Sequence, residues 1–238
     1  MVIIIALATF VATLLGGSFA LKYKDKLHLI LGFSAGAVIA VAFFDLMPEA
    51  LNLGSGSFGI ATMTSIVALG FAGYLVLDRL IILHHDTEEN GEASVRRGRL
   101  GAGSLSIHSF LDGAAIGLAF QVSAAVGAIV ATAVLVHDFS DGINTVNLVL
   151  KNAGSKTQAM RWLIVDALAP VVGVVSTLFF QLPEAALGVI LAIFSGFFLY
   201  IGASDLLPES HHQHSTLWTT MMTLLGMFTL FVAIRIAG

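Results

Sequence analysis

LIVDALAPVVGVVSTLFF, the stretch from Leu163 to Phe180, decides the fold class. Its only charged residue is Asp166, and polar and apolar positions do not alternate along it. A membrane-spanning helix needs about 20 predominantly apolar residues, whereas a strand of a membrane barrel needs about 10 that alternate. The stretch is therefore predicted to be a transmembrane helix, as is the similar run from Ile3 to Leu15.

The composition of the whole chain agrees with this prediction. The 238 residues are 57% hydrophobic and only 11% charged, and the mean hydropathy is +0.94. Soluble domains carry about 25% charged residues, so a soluble enzyme, a disordered chain and a nucleic-acid-binding protein are all poor fits. The chain contains no cysteine, which excludes disulfides and thiolate metal sites.

Eight apolar stretches fill most of the chain and predict an all-α, polytopic integral membrane protein. The connecting loops must be short and leave no room for a separate soluble domain, so residues 1–238 are interpreted as a single transmembrane domain. The polar segment 84–99 is predicted to be a solvated loop. We place the eight spans at about 2–20, 28–50, 59–83, 100–121, 124–150, 157–180, 185–207 and 216–237.

The basic residues indicate how the chain is oriented. Ten of the eleven fall between spans 1 and 2, at or after the end of span 3, or between spans 5 and 6, and only Arg235 falls on the other side. Cytoplasmic loops are enriched in Lys and Arg. We therefore predict a multi-pass protein of the cell (plasma) membrane with both termini outside.

The acidic residues, unlike the basic ones, enter the spans. Ionisable groups within a membrane are costly and are functional candidates by default. No Lys or Arg lies mid-span to neutralise them, which favours a path for cations over an anion carrier. Eight acids lie within or at the ends of spans: Asp45, Glu49, Asp112, Asp138, Asp141, Asp166, Asp205 and Glu209.

Two motifs occur twice. The pattern H-x-F-x-D-G begins at His108 in span 4 and at His137 in span 5, and D-L-x-P-E begins at Asp45 in span 2 and at Asp205 in span 7. Both matches pair spans that cross the membrane in opposite directions. This arrangement is typical of transporters built from inverted repeats, here grouped as three, two and three spans.

The span 4 and span 5 motifs suit a divalent transition metal. Residues four apart share one helical face, so each motif presents an imidazole and a carboxylate to one point: His108 with Asp112, and His137 with Asp141. Such mixed ligands suit zinc, iron(II) or manganese. The candidate ligands of a second, oxygen-rich position, which would share the two carboxylates, are Ser109, Asp138 and Asp166. The alternative is that these residues are buried polar pairs that hold helices together.

The D-L-x-P-E segments lie near opposite faces of the membrane. Asp45 and Glu49 are candidates for capturing cations at the outer mouth, and Asp205 and Glu209 for releasing them inside. The alternative is that they are interfacial carboxylates at helix ends. The short loop between spans 7 and 8 adds candidate exit residues, or else a solvated turn, at His211, His212 and His214.

At these motifs the chain resembles the ZIP (Zrt/Irt-like) family of divalent-metal transporters over essentially its whole length. The resemblance implies a principal metal site at the two His/Asp pairs and a secondary one at Ser109, Asp138 and Asp166. It also implies import, a homodimer, and movement of spans 1, 4, 5 and 6 against spans 2, 3, 7 and 8. The chain differs from the usual family motif at Ser109, Leu111, Asp112, Ser140 and Asp141.

The resulting prediction is a secondary transporter, not an enzyme, that moves divalent transition metals into the cytoplasm. Zinc is the foremost substrate, with iron(II), manganese and cadmium as further candidates, and no resident cofactor is expected. The expected partners are the metal ion, the lipid bilayer and a second copy of the chain, with no nucleic acid. The alternatives are an integral-membrane zinc hydrolase that cleaves a lipid, a cation channel, and a proton-coupled carrier of an organic cation.

Overall fold

The computed structural model describes residues 2–22, 27–83, 91–152, 154–212 and 217–237, and their regular structure is entirely helical. Eight helices are long and apolar enough to cross a membrane, which confirms the predicted fold class. Spans 1, 3, 4 and 5 are the helices Val2–Lys22, Ile60–Leu83, Gly91–Val122 and Ala124–Lys151. Spans 6 and 8 are Lys156–Ser176, continued by the 3₁₀ turn Thr177–Phe179, and Leu217–Ala237.

Spans 2 and 7 are each interrupted by a π-helical turn at the same place in the repeat. Span 2 runs through Leu27–Val41, the π turn Ala42–Leu46 and Met47–Gly54; span 7 runs through Glu184–Tyr200, the π turn Ile201–Leu206 and Leu207–His212. A proline clashes with the carbonyl four residues earlier in an α-helix. The wider turn before Pro48 and Pro208 relieves this clash, so both helices continue past the predicted ends at 50 and 207.

The prediction of a loop over 84–99 is wrong for its second half. The helix of span 4 begins at Gly91, so residues 91–99 are helical, while 84–90 lie outside the described residues. The segment contains no proline, and Glu92, Ala93 and the arginines that follow favour a helix. The helix therefore extends beyond the apolar part of the span.

The helices pack as the inverted repeat predicts. Span 1 packs against span 5, and the equivalent contact in the other repeat is that of span 6 with span 4. In the same way, the contact of span 2 with span 8 is equivalent to that of span 7 with span 3. More than half of the residues of spans 2, 4, 5 and 7 are buried, whereas fewer than half are buried in spans 1, 3, 6 and 8. The two motif-bearing pairs of spans therefore form the centre of the bundle.

Glycines allow the close contacts within these pairs of spans. A Cβ at Gly142 in span 5 would collide with the carbonyl oxygen of Thr13, and one at Gly113 in span 4 would collide with that of Pro170. Both glycines end the repeated H-x-F-x-D-G motif. The motif thus combines ligands on one face of each helix with a surface for helix packing on another.

Candidate metal centre

The four residues of the two His/Asp pairs converge between spans 4 and 5. One ligand atom from each of His108, Asp112, His137 and Asp141 lies within 4.8 Å of all the others. Every one of the four residues is buried, with exposed fractions from 0% to 4%. The geometry therefore brings together two imidazole nitrogens and two carboxylate oxygens in one buried cluster.

The spacing of these atoms fits a tetrahedral metal. Asp112 Oδ2 lies 3.1 Å from His108 Nε2 and 3.2 Å from His137 Nε2, and Asp141 Oδ2 lies 3.5 Å and 3.8 Å from the same two nitrogens. Two ligands that are each about 2.0–2.1 Å from zinc at a tetrahedral angle are about 3.3 Å apart. A zinc-sized ion can therefore be held between these four atoms after small side-chain adjustments.

The hydrogen bonds around the cluster turn its ligand atoms toward one another. His137 Nδ1 lies 2.9 Å from the carbonyl oxygen of Ala133, which holds the ring so that Nε2 faces the carboxylates. His137 Nε2 lies within hydrogen-bond distance of Asp112 Oδ2, at 3.2 Å. His108 Nε2 and Asp141 Oδ2 lie at ion-pair distance from the opposing ligands, 3.1–3.8 Å, but neither makes a hydrogen bond of acceptable geometry with any described residue. Buried polar atoms normally make hydrogen bonds, so ligand atoms that face a common point without satisfying one another favour a cation there.

Aromatic side chains enclose the histidines on the side of spans 3 and 7. The ring of Tyr74 meets that of His108 edge-on at 5.9 Å, and Phe198 meets His137 edge-on at 5.8 Å. Tyr74 also contacts Tyr200, whose hydroxyl donates to Asp78 at 2.8 Å. The sequence analysis missed Tyr74 because one aromatic residue in an apolar span carries no signal of its position.

The residues proposed for a second metal position do not join the group of four. Asp166 accepts hydrogen bonds from Ser109 at 2.8 Å and from Thr145 at 2.9 Å, so both of its oxygens have partners. Asp138 is fully buried, and neither of its carboxylate oxygens has a partner among the described residues. The structure thus places Ser109 beside Asp166, while Asp138 lies within electrostatic range of the central carboxylates.

The two ends of the predicted pathway differ in exposure. Asp45 in span 2 is buried with one unpartnered oxygen in the described part of the chain, and Glu49 is half-buried. The equivalent residues of span 7, Asp205 and Glu209, are exposed. Asp205 lies within electrostatic range of the central site, at His108 and Asp141, whereas Asp45 lies within electrostatic range of Glu49.

The predicted histidine cluster is described only in part. His211 Nδ1 lies 2.9 Å from the carbonyl oxygen of Leu207, so this ring closes the end of its own helix. The side chain of His212 and the whole of His214 lie outside the described residues.

Comparison with known proteins decides the family. A family model described as ZIP Zinc transporter matches residues 102–234, which includes the whole metal centre. The chain belongs to the ZIP zinc transporter family. This result confirms the resemblance that the two H-x-F-x-D-G motifs indicated.

Three ZIP relatives illustrate the range of similarity. Zinc transporter ZupT of Corynebacterium aurimucosum is 26% identical over 90% of this chain and 89% of its own length. Zinc transporter ZupT of Corynebacterium efficiens is 29% identical over 86% of both chains. Zinc transporter ZIP13 of Pongo abelii is 25% identical over 84% of this chain, which spans 63% of that protein.

Membership of the ZIP family bears on the alternative of a lipid-cleaving enzyme. The relatives are named transporters and not enzymes. Such an enzyme would use His, Asp and Ser109 to build a metal–water site, but the Ser109 hydroxyl lies 2.8 Å from Asp166 Oδ1 and Ser109 is not part of the group of four. Neither observation supports the hydrolase.

Proposed function

We propose that this chain is a secondary transporter that carries divalent transition metals, zinc foremost, into the cytoplasm. The observation that carries the proposal is the convergence of His108, Asp112, His137 and Asp141 in a buried cluster. No Lys or Arg lies mid-span beside it, and imidazoles that ligate a metal are neutral, so the proposed partner that balances the two carboxylates is a cation from outside. Metal bound there loses most of its water and is released when the site opens to the other face.

Zinc suits this ligand set better than the hard cations do. Calcium and magnesium prefer shells of oxygen ligands, whereas two imidazoles and two carboxylates are typical of zinc and of other first-row metals. The ZupT and ZIP13 relatives are named zinc transporters. We place iron(II), manganese and cadmium as competing substrates because the same ligands accept them.

The unequal exposure of the two mouths supports alternating access. Asp45 and Glu49 are proposed to capture the ion, and Asp205 and Glu209 to release it. In the described conformation Asp45 is buried, while Asp205 is exposed and within electrostatic range of the central site. This is the arrangement expected of a carrier that faces the cytoplasm, and His211, His212 and His214 are proposed to lie along the exit.

A second oxygen-rich position is proposed beside the central one. Asp138 supports it, since both of its buried oxygens lack partners in the described residues. Ser109 and Asp166 complete the set, although their mutual hydrogen bond must then be exchanged for the metal. We propose further that residues 1–238 form one transporter domain and that two copies assemble as a homodimer.

We propose that the protein lies in the plasma membrane with both termini outside, and labelling tests this. The chain has no cysteine, so single ones can be introduced at exposed positions outside the apolar part of the spans without background. A membrane-impermeant maleimide is expected to label Ser57→Cys in intact cells, and Lys156→Cys only after the cells are opened. Labelling of Lys156→Cys alone in intact cells would show that the chain has the opposite orientation, and it would contradict the proposed direction of transport.

Uptake into proteoliposomes tests the function itself. We expect uptake of radioactive zinc that saturates at low metal concentration and is reduced by iron(II), manganese or cadmium. Flux that rises linearly with zinc concentration would favour a channel. If the pure protein takes up no zinc but cleaves the vesicle lipid, the hydrolase would be favoured. Uptake of an organic cation in place of metal would favour the proton-coupled carrier.

A further inference from the structure

A cavity of about 330 Å³ lies at the end of the bundle that carries the C-terminus of span 8. It opens between the π turn of span 2 and the last turn of span 8. Its walls are mostly apolar, and one side is cationic. The lining residues are Phe43, Phe44, Pro48, Ile234 and Arg235.

Arg235 is the charged member of this lining. Its side chain is exposed, and its guanidinium lies 5.4 Å from the centre of the Phe231 ring. The guanidinium forms no ion pair with any residue in the described ranges. This cation–π contact holds the guanidinium near the ring while leaving N–H groups available to an anion.

The apolar walls indicate what kind of anion would enter. Phe43 and Phe44 expose 48% and 42% of their surface beside the charge. A free anion would gain nothing from these rings, whereas an acyl chain would cover them. Arg235 lies one residue before the end of an apolar span, at the depth where phosphate groups of a bilayer meet the hydrocarbon.

We propose that this cavity binds one membrane phospholipid, with its phosphodiester on Arg235 and an acyl chain along Phe43 and Phe44. The guanidinium donates charge-assisted hydrogen bonds to the phosphate oxygens. The Phe231 ring, under the guanidinium, also packs edge-on against Phe44 at 5.1 Å. The lipid therefore seats against the π turn that contains Asp45. The site does not depend on the proposed metal centre or on the orientation of the chain.

Native mass spectrometry of the full chain in detergent, with added phosphatidylglycerol, tests the proposal. The wild type is expected to retain one phosphatidylglycerol per chain more tightly than the variants do. Arg235→Gln is expected to weaken retention about tenfold, as the loss of a charge-assisted hydrogen bond predicts. Ile234→Trp, which fills the cavity but keeps the charge, is expected to weaken it as well.

The controls distinguish a specific phospholipid site from nonspecific lipid adsorption and from a simple anion site. Arg99→Gln removes an exposed arginine that does not line the cavity, and it is expected to retain the lipid like the wild type. Equal retention by Arg235→Gln and the wild type would overturn the proposal. Displacement of the lipid by inorganic phosphate, or equal retention of a diacylglycerol that lacks the phosphate, would also overturn it.

Discussion

Asp112→Asn is expected to abolish zinc uptake while the protein remains folded. The carboxylate is central to the site, since its Oδ2 lies 3.1 Å and 3.2 Å from the two histidine nitrogens. An amide of the same shape keeps the packing but loses the negative charge that balances the ion. Loss of a partner that only orients a ligand costs about 10–100-fold in metal affinity, so loss of the ligand itself is expected to cost more than about 100-fold.

The measurement is radioactive zinc uptake by proteoliposomes that contain equal amounts of folded protein. Glu184→Gln provides a matched control, because Glu184 is an exposed carboxylate at the start of span 7 that has no part in the proposed pathway. Its uptake is expected to equal that of the wild type. Normal uptake by Asp112→Asn, with elution on size exclusion unchanged, would show that zinc does not pass through this site.

Gly142→Ala is expected to destabilise the folded protein strongly. The added methyl group meets the backbone carbonyl of Thr13, which cannot move aside as a flexible side chain would. Spans 1 and 5 must then separate along their contact. Overpacking typically lowers the free energy of unfolding by about 1–3 kcal/mol. Because the clash here is with backbone, we expect a loss at or above the upper end of this range.

The expected readout is a lower melting temperature of the detergent-solubilised protein. Gly113→Ala, the equivalent change in span 4, meets Pro170 and is expected to behave in the same way. Gly73→Ala is the control, because a Cβ at Gly73 has nothing within 4 Å among the described residues. A melting temperature of Gly142→Ala equal to that of Gly73→Ala would disprove the close contact of spans 1 and 5.

The sequence predicts the spans well because the bilayer imposes one simple requirement on all of them. Each span must be an apolar helix of about 20 residues, so length and composition suffice. The ends of the helices depend on local geometry instead. The π turns before Pro48 and Pro208 allow spans 2 and 7 to continue past their predicted ends. The helical segment 91–99 is not predicted, because it lies outside the apolar run of span 4.

The centre of the candidate site is predictable for a similar reason. His108 with Asp112 and His137 with Asp141 are each four residues apart, and the helix alone places them on one face. The surrounding contacts depend on which helices meet. Spacing along the chain therefore does not indicate the hydrogen bond of Thr145 to Asp166, which joins spans 5 and 6. Spacing likewise does not indicate the hydrogen bond at 2.9 Å between the hydroxyls of Ser34 and Ser140, which joins spans 2 and 5.

X-ray absorption at the zinc edge, on protein loaded with one equivalent of zinc, tests the central claim most directly. We expect four nitrogen or oxygen ligands at about 2.0–2.1 Å, with the outer-shell scattering of two imidazole rings. The imidazole scattering is expected to disappear in the double variant His108→Gln, His137→Gln. A spectrum without imidazole in the wild type, or one unchanged in the double variant, would contradict the assignment of the metal to spans 4 and 5.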